Sequence, residues 1–345
     1  MSAPVRTVSA DDLKSFCARI LRAAGVPETD ADITARIQVE ADLRGVHSHG
    51  TRGIVGYTRQ ILDGRINPAA KLRTLAEGGA YLHIDGGNGL GQVVSHHAMQ
   101  QAIHKAAGAG VGIAAVCNSN HYGAAAYYAT MAAETGMVGF NTTGGRRLRG
   151  NMAPFGSIEP VLGNFPLAYA VPAGKERPIV LDMATGVVAA GKIGMAQARG
   201  EKIPSGWGLT EAGEPTDDPA QAHIVVPMGP KGSGLSIVMN CIGGILTGAG
   251  FPDTDRSGHL FIALNVATFA DPETFKAEVD ARIESIRSAR PAPGIDRVYY
   301  PGEPEWIARE ERLASGIPML EAHLRELKTL GTRLGVLSPW PLPEM

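Results

Sequence analysis

Ser9 and Asp12 form a capping box ahead of Leu13, Phe16, Cys17, Ile20 and Leu21. That three- and four-residue spacing predicts an amphipathic helix, which Gly25 ends. Asp30 is placed to cap a second helix carrying Ile33, Ile37, Ala41 and Leu43 and stopping at Gly45, and a third is expected over residues 55–63. From Ala80 the pattern changes to short apolar runs alternating with helical ones. Strands are predicted at 81–84, 111–116, 137–140, 167–171, 179–181, 223–226 and 260–266, and helices at 93–107, 234–246 and from Asp271-Pro272 to about residue 288. The tail returns to helices at 304–315 and 319–330. The pattern therefore predicts an α/β body over residues 76–302 and a helical domain built from residues 1–75 and 303–345.

One stretch carries no apolar period. Gly45-Val46-His47-Ser48-His49-Gly50-Thr51-Arg52 sets two imidazoles, a hydroxyl and a guanidinium between glycines, just past a helix end. In an extended segment His47 and His49 would project to one side and could ligate a metal, giving a metal-dependent hydrolase. The remaining histidines show no ligand spacing, so the block is equally open to acid/base chemistry.

The glycine-rich runs invite a nucleotide reading and do not satisfy one. Asp85-Gly86-Gly87-Asn88-Gly89-Leu90-Gly91 lies between a strand and a helix, but its glycines miss the dinucleotide spacing, and a turn is expected. Gly186-Val187-Val188-Ala189-Ala190-Gly191-Lys192-Ile193 lacks the Ser or Thr of a phosphate loop and reads as helical throughout. Asn120-His121-Tyr122-Gly123 falls where a buried strand meets a helix, a usual ligand position in open α/β sheets. Asp182-Met183-Ala184-Thr185 ends another buried strand and can either hold ribose or cap a helix. Lys231 and Gly232 open a long apolar helix, a ready anion site or a solvated cap. His96-His97, inside a helix, reads as packing.

Composition narrows the field. Hydrophobic residues at 44% supply real cores, and a formal net charge of -2 without basic blocks points away from nucleic acid and anionic membranes. Cys17, Cys117 and Cys241 lie far apart, with neither a CxxC pair nor a disulfide framework. The N-terminus lacks a signal-peptide profile and no apolar run approaches ~20 residues, so a cytoplasmic location is expected.

Taken in order along the chain, these segments resemble the malate/L-lactate/ureidoglycolate dehydrogenase family. The parts are Ala41-Asp42-Leu43-Arg44-Gly45-Val46-His47-Ser48-His49-Gly50, Ser119-Asn120-His121-Tyr122-Gly123, Ala153-Pro154-Phe155-Gly156 and Leu181-Asp182-Met183-Ala184-Thr185. Ile203-Pro204-Ser205-Gly206-Trp207, Pro227-Met228-Gly229-Pro230-Lys231-Gly232-Ser233-Gly234-Leu235 and Pro301-Gly302-Glu303 follow. The resemblance implies a non-Rossmann NAD(P)-binding fold with a mixed central sheet, a homodimer, and hydride transfer at C2 of a small 2-hydroxy or 2-oxo acid. Some members reduce cyclic imino acids instead. It implies His49 and His121 as acid/base groups and Ser48 as an orienting group. Asn120, Asp182, Met183, Ala184, Thr185, Lys231, Gly232, Gly302 and Glu303 would be cofactor contacts, with NAD placed ahead of NADP and no metal.

Three departures bear on substrate. Where family members commonly carry an arginine four residues after the histidine, this chain has Gly53, so Arg52, Arg146, Arg147 or Arg149 is left as the carboxylate clamp. The usual Leu-Gly-Thr-Asn-Pro is Leu162-Gly163-Asn164-Phe165-Pro166, and the usual serine after Asp-Met-Ala-Thr is Gly186.

Overall fold

The first element is one that the apolar spacing does not announce: a short strand, β1 (Val5–Val8). It leads into α1 (Ala10–Ala23), where Ser9 accepts the Asp12 N–H as the capping box requires and Leu13, Phe16, Cys17, Ile20 and Leu21 are all buried. The computed structural model describes residues 4–145, 150–248 and 256–341; Arg146, Arg147 and Arg149 lie outside the described residues. α2 (Glu28–Leu43) begins before Asp30, because Pro27 takes the N-cap position, and Asp30 sits in the first turn instead. α3 (Arg52–Leu62) follows the polar block.

The α/β body runs β2 (Arg73–Glu77), β3 (Tyr81–Asp85), α4 (Gly91–Ala109), β4 (Val111–Ser119), α5 (Ala126–Glu134), β5 (Met137–Gly144), β6 (Leu167–Val171) and β7 (Ile179–Met183). Next come α6 (Ala190–Arg199) and the short strands β8 (Gly208–Leu209), β9 (Pro215–Thr216) and β10 (Ile224–Val225), which form their own small sheet. α7 (Gly229–Asn240), β11 (Ser257–Asn265), α8 (Pro272–Arg287), α9 (Glu303–Ser315), β12 (Ile317–Leu320) and α10 (Glu321–Arg333) complete the described chain.

The seven-stranded sheet has the order β2-β3-β4-β11-β5-β6-β7. Among the described strands only β3 and β4 pair in parallel; the other neighbours are antiparallel. A dinucleotide fold of the doubly wound kind needs a mostly parallel sheet, so this is a mixed-sheet α/β fold of another kind. α4 and α5 pack on one face through alanines, with Ala98, Ala102, Ala106, Ala129 and Ala132 buried against Ala114, Val116 and Phe261. The approach is close enough that a Cβ at Gly112 would stand 1.8 Å from the Ala102 carbonyl oxygen, so only glycine fits there.

The chain termini close on each other. β1 pairs antiparallel with β12, and Leu13, Phe16, Ile20 and Leu21 share a core with Ile317, Leu324, Leu327 and Trp340. Trp306 and Ile37 turn the other way, into the core beneath the sheet, and dock this terminal layer on the body.

Three expectations need correction. Residues 319–330 are not one helix: 317–320 are drawn into the ladder with β1, and α10 starts only at Glu321. Residues 186–193 are helical only from Ala190, because Gly186 bridges to Pro227 and the Val187 N–H donates to the Val226 carbonyl. The helix expected over 234–246 begins at Gly229 and loosens into a π turn at Cys241–Ile245. There Gly144 and Gly244 meet backbone to backbone, with no room for a Cβ at either.

Candidate active site

The polar block is shaped by Asp42, whose side chain is 1% exposed. It accepts from the Thr51 N–H at 2.8 Å and the Thr51 hydroxyl at 2.6 Å, and pairs with His47 Nδ1 at 2.8 Å. These bonds curl His47–His49 into a single 3-10 turn rather than the extended segment that a His-x-His metal pair would need. A Cβ at Gly50 would stand 2.1 Å from Asp42 Oδ1, which is why glycine follows His49. Arg312 reaches over from α9 to His47 Nε2 at 3.1 Å. A guanidinium only donates, so Nε2 accepts and Nδ1–H donates to Asp42. Both nitrogens of His47 are thus committed and none is left to bind a metal.

His49 and His121 face each other with ring centroids 5.7 Å apart. His121 lies on the turn after β4, and its Nδ1 receives the Gly123 N–H at 3.4 Å and meets the Tyr57 hydroxyl at 2.6 Å. A backbone N–H cannot accept, so Nδ1 is the acceptor, Tyr57 donates, and the ring's proton sits on Nε2. Tyr57 stacks on the same imidazole, with centroids 6.0 Å apart. Burial pushes His121 down to about 4, with the neighbouring His49 adding to it. Burial also lowers His49 from the usual 6.5. Both rings are therefore neutral near pH 7.

His49 keeps more freedom. Its Nδ1 meets the Ser48 hydroxyl at 2.9 Å, and no described residue partners its Nε2. A serine hydroxyl either donates or accepts, so His49 can hold its proton on either nitrogen. Beneath the turn Gln38, in the amide orientation its neighbours dictate, donates to the His49 carbonyl at 2.8 Å and accepts from Gln92 at 2.9 Å. The two facing histidines thus sit on a braced floor.

They open onto a cleft of about 1270 Å³. That exceeds the ~300–1,000 Å³ of ordinary small-molecule sites, leaving room for a dinucleotide and a small acid together. Asp182, Met183 and Ala184 form one wall, Phe165, Val187 and Met195 add apolar surface, and Gly302 lies alongside. The Asp182 carboxylate lines the cleft, where desolvation by the surrounding residues pushes it up to about 6 although the Ala126 N–H donates to it at 2.7 Å.

Several residues expected at the site do other work. Thr185 is buried and donates to the Phe165 carbonyl. The Asn120 amide is tied to Asn88 and Gly89, bracing the turn before α4. The Glu303 carboxylate is 6% exposed and bound by Arg287 and Arg297, away from the cleft. Lys231 is exposed on α7 and Arg52 on α3, and neither lines the cleft. Gly232 packs under Thr185, where a Cβ would stand 2.5 Å from its carbonyl oxygen.

Two of the departures are coupled. Asn164 accepts the Gly186 N–H at 2.7 Å and donates to the Val188 carbonyl at 2.8 Å. A Cβ at 186 would meet Asn164 at 3.0 Å and Val225 at 2.9 Å, so the asparagine occupies the space a serine there would need. Asp42, Tyr57, Gln38 and Gln92 were not singled out as site residues by sequence reasoning. Their only signal is a polar side chain at a helix position that should be buried.

Residues 8–328 match the malate/L-lactate dehydrogenase family. A malate dehydrogenase of Pyrococcus horikoshii is 40% identical over 95% of this chain and 96% of its own length. An L-sulfolactate dehydrogenase of Methanocaldococcus jannaschii is 38% identical, covering 94% and 96%. An NAD(+) ureidoglycolate dehydrogenase of Escherichia coli K12 is 32% identical, covering 91% and 93%. Among solved structures, the Pyrococcus horikoshii malate dehydrogenase superposes with a TM-score of 0.88 at 37% identity, over 98% of this chain and 100% of that one. A delta1-piperideine-2-carboxylate reductase of Pseudomonas syringae superposes at 0.81 and 28% identity, over 94% and 99%.

Proposed function

Since the chain belongs to the malate/L-lactate dehydrogenase family, we propose that it moves a hydride between a nicotinamide cofactor and C2 of a small 2-hydroxy or 2-oxo acid of malate, lactate, ureidoglycolate or sulfolactate type. The observation that carries this reading is the facing pair of neutral imidazoles, one with its tautomer locked and one free to exchange its proton. Asp182, Met183, Ala184 and Gly302 would hold NAD or NADP along one wall, and the nicotinamide would supply or accept the hydride when bound. That wall fits the group: it is long, partly apolar, and at Gly302 (φ 90) stripped of any side chain, where a Cβ would meet Val180 at 2.9 Å. NAD is placed ahead of NADP on the name of the ureidoglycolate relative.

In the oxidative direction His49, neutral through burial, takes the hydroxyl proton as the C2–H bond gives up its hydride. Ser48 holds the other side of the same ring and lets the proton shift between its nitrogens. His121 offers its fixed Nε2–H to a substrate oxygen and keeps it from rotating. In reduction the same groups act in reverse, and His49 must first be loaded with a proton. Asn120, Thr185 and Gly232 support this site through hydrogen bonds and packing.

A homodimer is part of the proposal. α7 and the turn after it leave Leu235, Ile237, Val238, Ile245 and Leu246 exposed, an apolar face that a second copy would cover. A cytoplasmic location is supported by three free cysteines; among the described residues no helix is long and apolar enough to cross a membrane.

The test is turnover of purified protein on malate, lactate, sulfolactate, ureidoglycolate and a cyclic imino acid with both cofactors, followed by nicotinamide absorbance. Turnover of at least one 2-hydroxy acid is expected. Turnover of the imino acid alone would move the chain to the reductase reading that the Pseudomonas syringae structure favours. No turnover of any would sink both.

A further inference from the structure

A 2-hydroxy or 2-oxo acid brings a carboxylate that needs a cation, and position 53, where the resemblance puts an arginine, holds glycine. In this structure it has no space for more. A Cβ there would stand 2.8 Å from the Tyr57 ring, the ring that fixes His121. Arg52 is exposed and outside the cleft.

The described cations that do line the cleft are Arg44, Lys192, Arg199 and Arg256. Arg44 is spent: it pairs with Glu40 at 2.8 Å, lies 3.9 Å over the Trp306 ring and is 6% exposed. Arg256 donates to Asn118. Arg199 stands at the far end of α6, by Glu201 at 3.9 Å and roughly 10 Å further along the helix axis than Lys192. Lys192 alone of the four has no hydrogen-bond or ion-pair partner among the described residues. It also sits beside the chemistry, since a Cβ on its neighbour Gly191 would be 3.2 Å from Ser48 Cβ.

We infer that Lys192 receives the substrate carboxylate, in place of the arginine missing at position 53. This rests on the reaction proposed above. It makes α6, rather than α3, the element that reads the acid end of the substrate. A lysine is a point charge where an arginine is a fork, so the site tolerates more variation in carboxylate orientation.

The experiment compares wild type with Lys192→Gln and Lys192→Arg. It measures KM and kcat for the best 2-hydroxy acid, binding of oxamate to the enzyme–NADH complex by fluorescence, and the Kd of NADH alone. Lys192→Gln is expected to raise KM and weaken oxamate about 10- to 100-fold, the worth of one charge-assisted contact, with kcat falling less and NADH Kd unchanged. Lys192→Arg should recover most of the oxamate affinity. Unchanged KM and oxamate affinity in Lys192→Gln overturn the inference while the active wild type keeps the reaction. Weaker NADH with unchanged oxamate also overturns it, assigning Lys192 to a cofactor phosphate. Loss of oxamate only in Arg146→Gln, Arg147→Gln or Arg149→Gln overturns it in favour of that segment. A wild-type complex that binds no oxamate and turns over no acid removes the reaction and the inference together.

Discussion

Tyr57→Phe tests the reasoning at its most structural point. The substitution keeps the ring that stacks on His121 and removes only the hydroxyl that donates to Nδ1 at 2.6 Å. What remains for that nitrogen is the Gly123 N–H at 3.4 Å, a long bond. One lost neutral hydrogen bond is worth about 0.5–1.5 kcal/mol, which shifts the ratio of imidazole tautomers roughly 2- to 12-fold towards Nδ1–H. The Nδ1–H form cannot present its donor to the cleft, so kcat should fall by up to about the same factor, with little change in NADH binding. Selective ¹⁵N labelling of histidine reads the tautomer directly, and steady-state kinetics read the consequence. If Tyr57→Phe keeps kcat within about twofold of wild type and leaves the His121 nitrogen shifts in place, the locked tautomer plays no part in the reaction.

The remaining predictions address the proton, the turn and acid stability. His49→Asn should cut kcat by about 10²–10⁴-fold with nicotinamide affinity near wild type, and full activity would remove His49 from proton transfer. Burial lowers His49 below 6.5, so wild-type oxidation should persist as pH falls through 6.5, whereas reduction, which needs the protonated ring, should still be weak at 6.5 and rise as pH falls further. A reduction rate that still rises with pH above neutrality would contradict that assignment. Asp42→Asn strips an acceptor from Thr51 and His47 and should cost about 2–4 kcal/mol by denaturant unfolding, together with kcat; an unchanged midpoint would show that the turn does not depend on it. His121, down at about 4, and His259, buried and down at about 3, stay neutral in the fold while the unfolded chain protonates them below 6.5. Their stability contribution is full above pH 6.5 and is lost as pH falls towards those values. Asp182, raised to about 6, works in the opposite direction, so the easier unfolding expected as pH falls below 6.5 rests mainly on the fully buried His259. A flat profile would mean that these rings are solvated.

The α/β body and the order of its segments were legible because strand runs and helix periods are local signals. The β1–β12 ladder was not, since it joins Val5 to Leu320 and neither strand stands out on its own. At the site the motifs led to turns that line the cleft but not to which side of each turn faces it. Asp182 and Glu303 are both acids at element ends, yet one faces the cleft and the other is buried between two arginines. That choice depends on tertiary partners such as Arg287 and Arg297, which sequence spacing does not couple to Glu303. Asp42 read as part of a helix for the same reason: its partners Thr51 and His47 lie beyond the helix end.

The departures show what the chain has kept and what it has changed. Asn164 and Gly186 exchange bulk within one contact, so the turn after β7 keeps its shape with different side chains. Gly53 is different, because no neighbouring residue fills its role: the space beside it belongs to Tyr57, and Tyr57 is needed to hold His121. Supporting the proton-transfer pair and carrying a cation at position 53 compete for the same volume in this structure. The histidines and their braces are intact, so the proposed proton transfer does not depend on an arginine at position 53, and on that reading the consequence falls on the carboxylate end of the substrate. A cation entering from α6, past Ser48, satisfies both demands without disturbing His121.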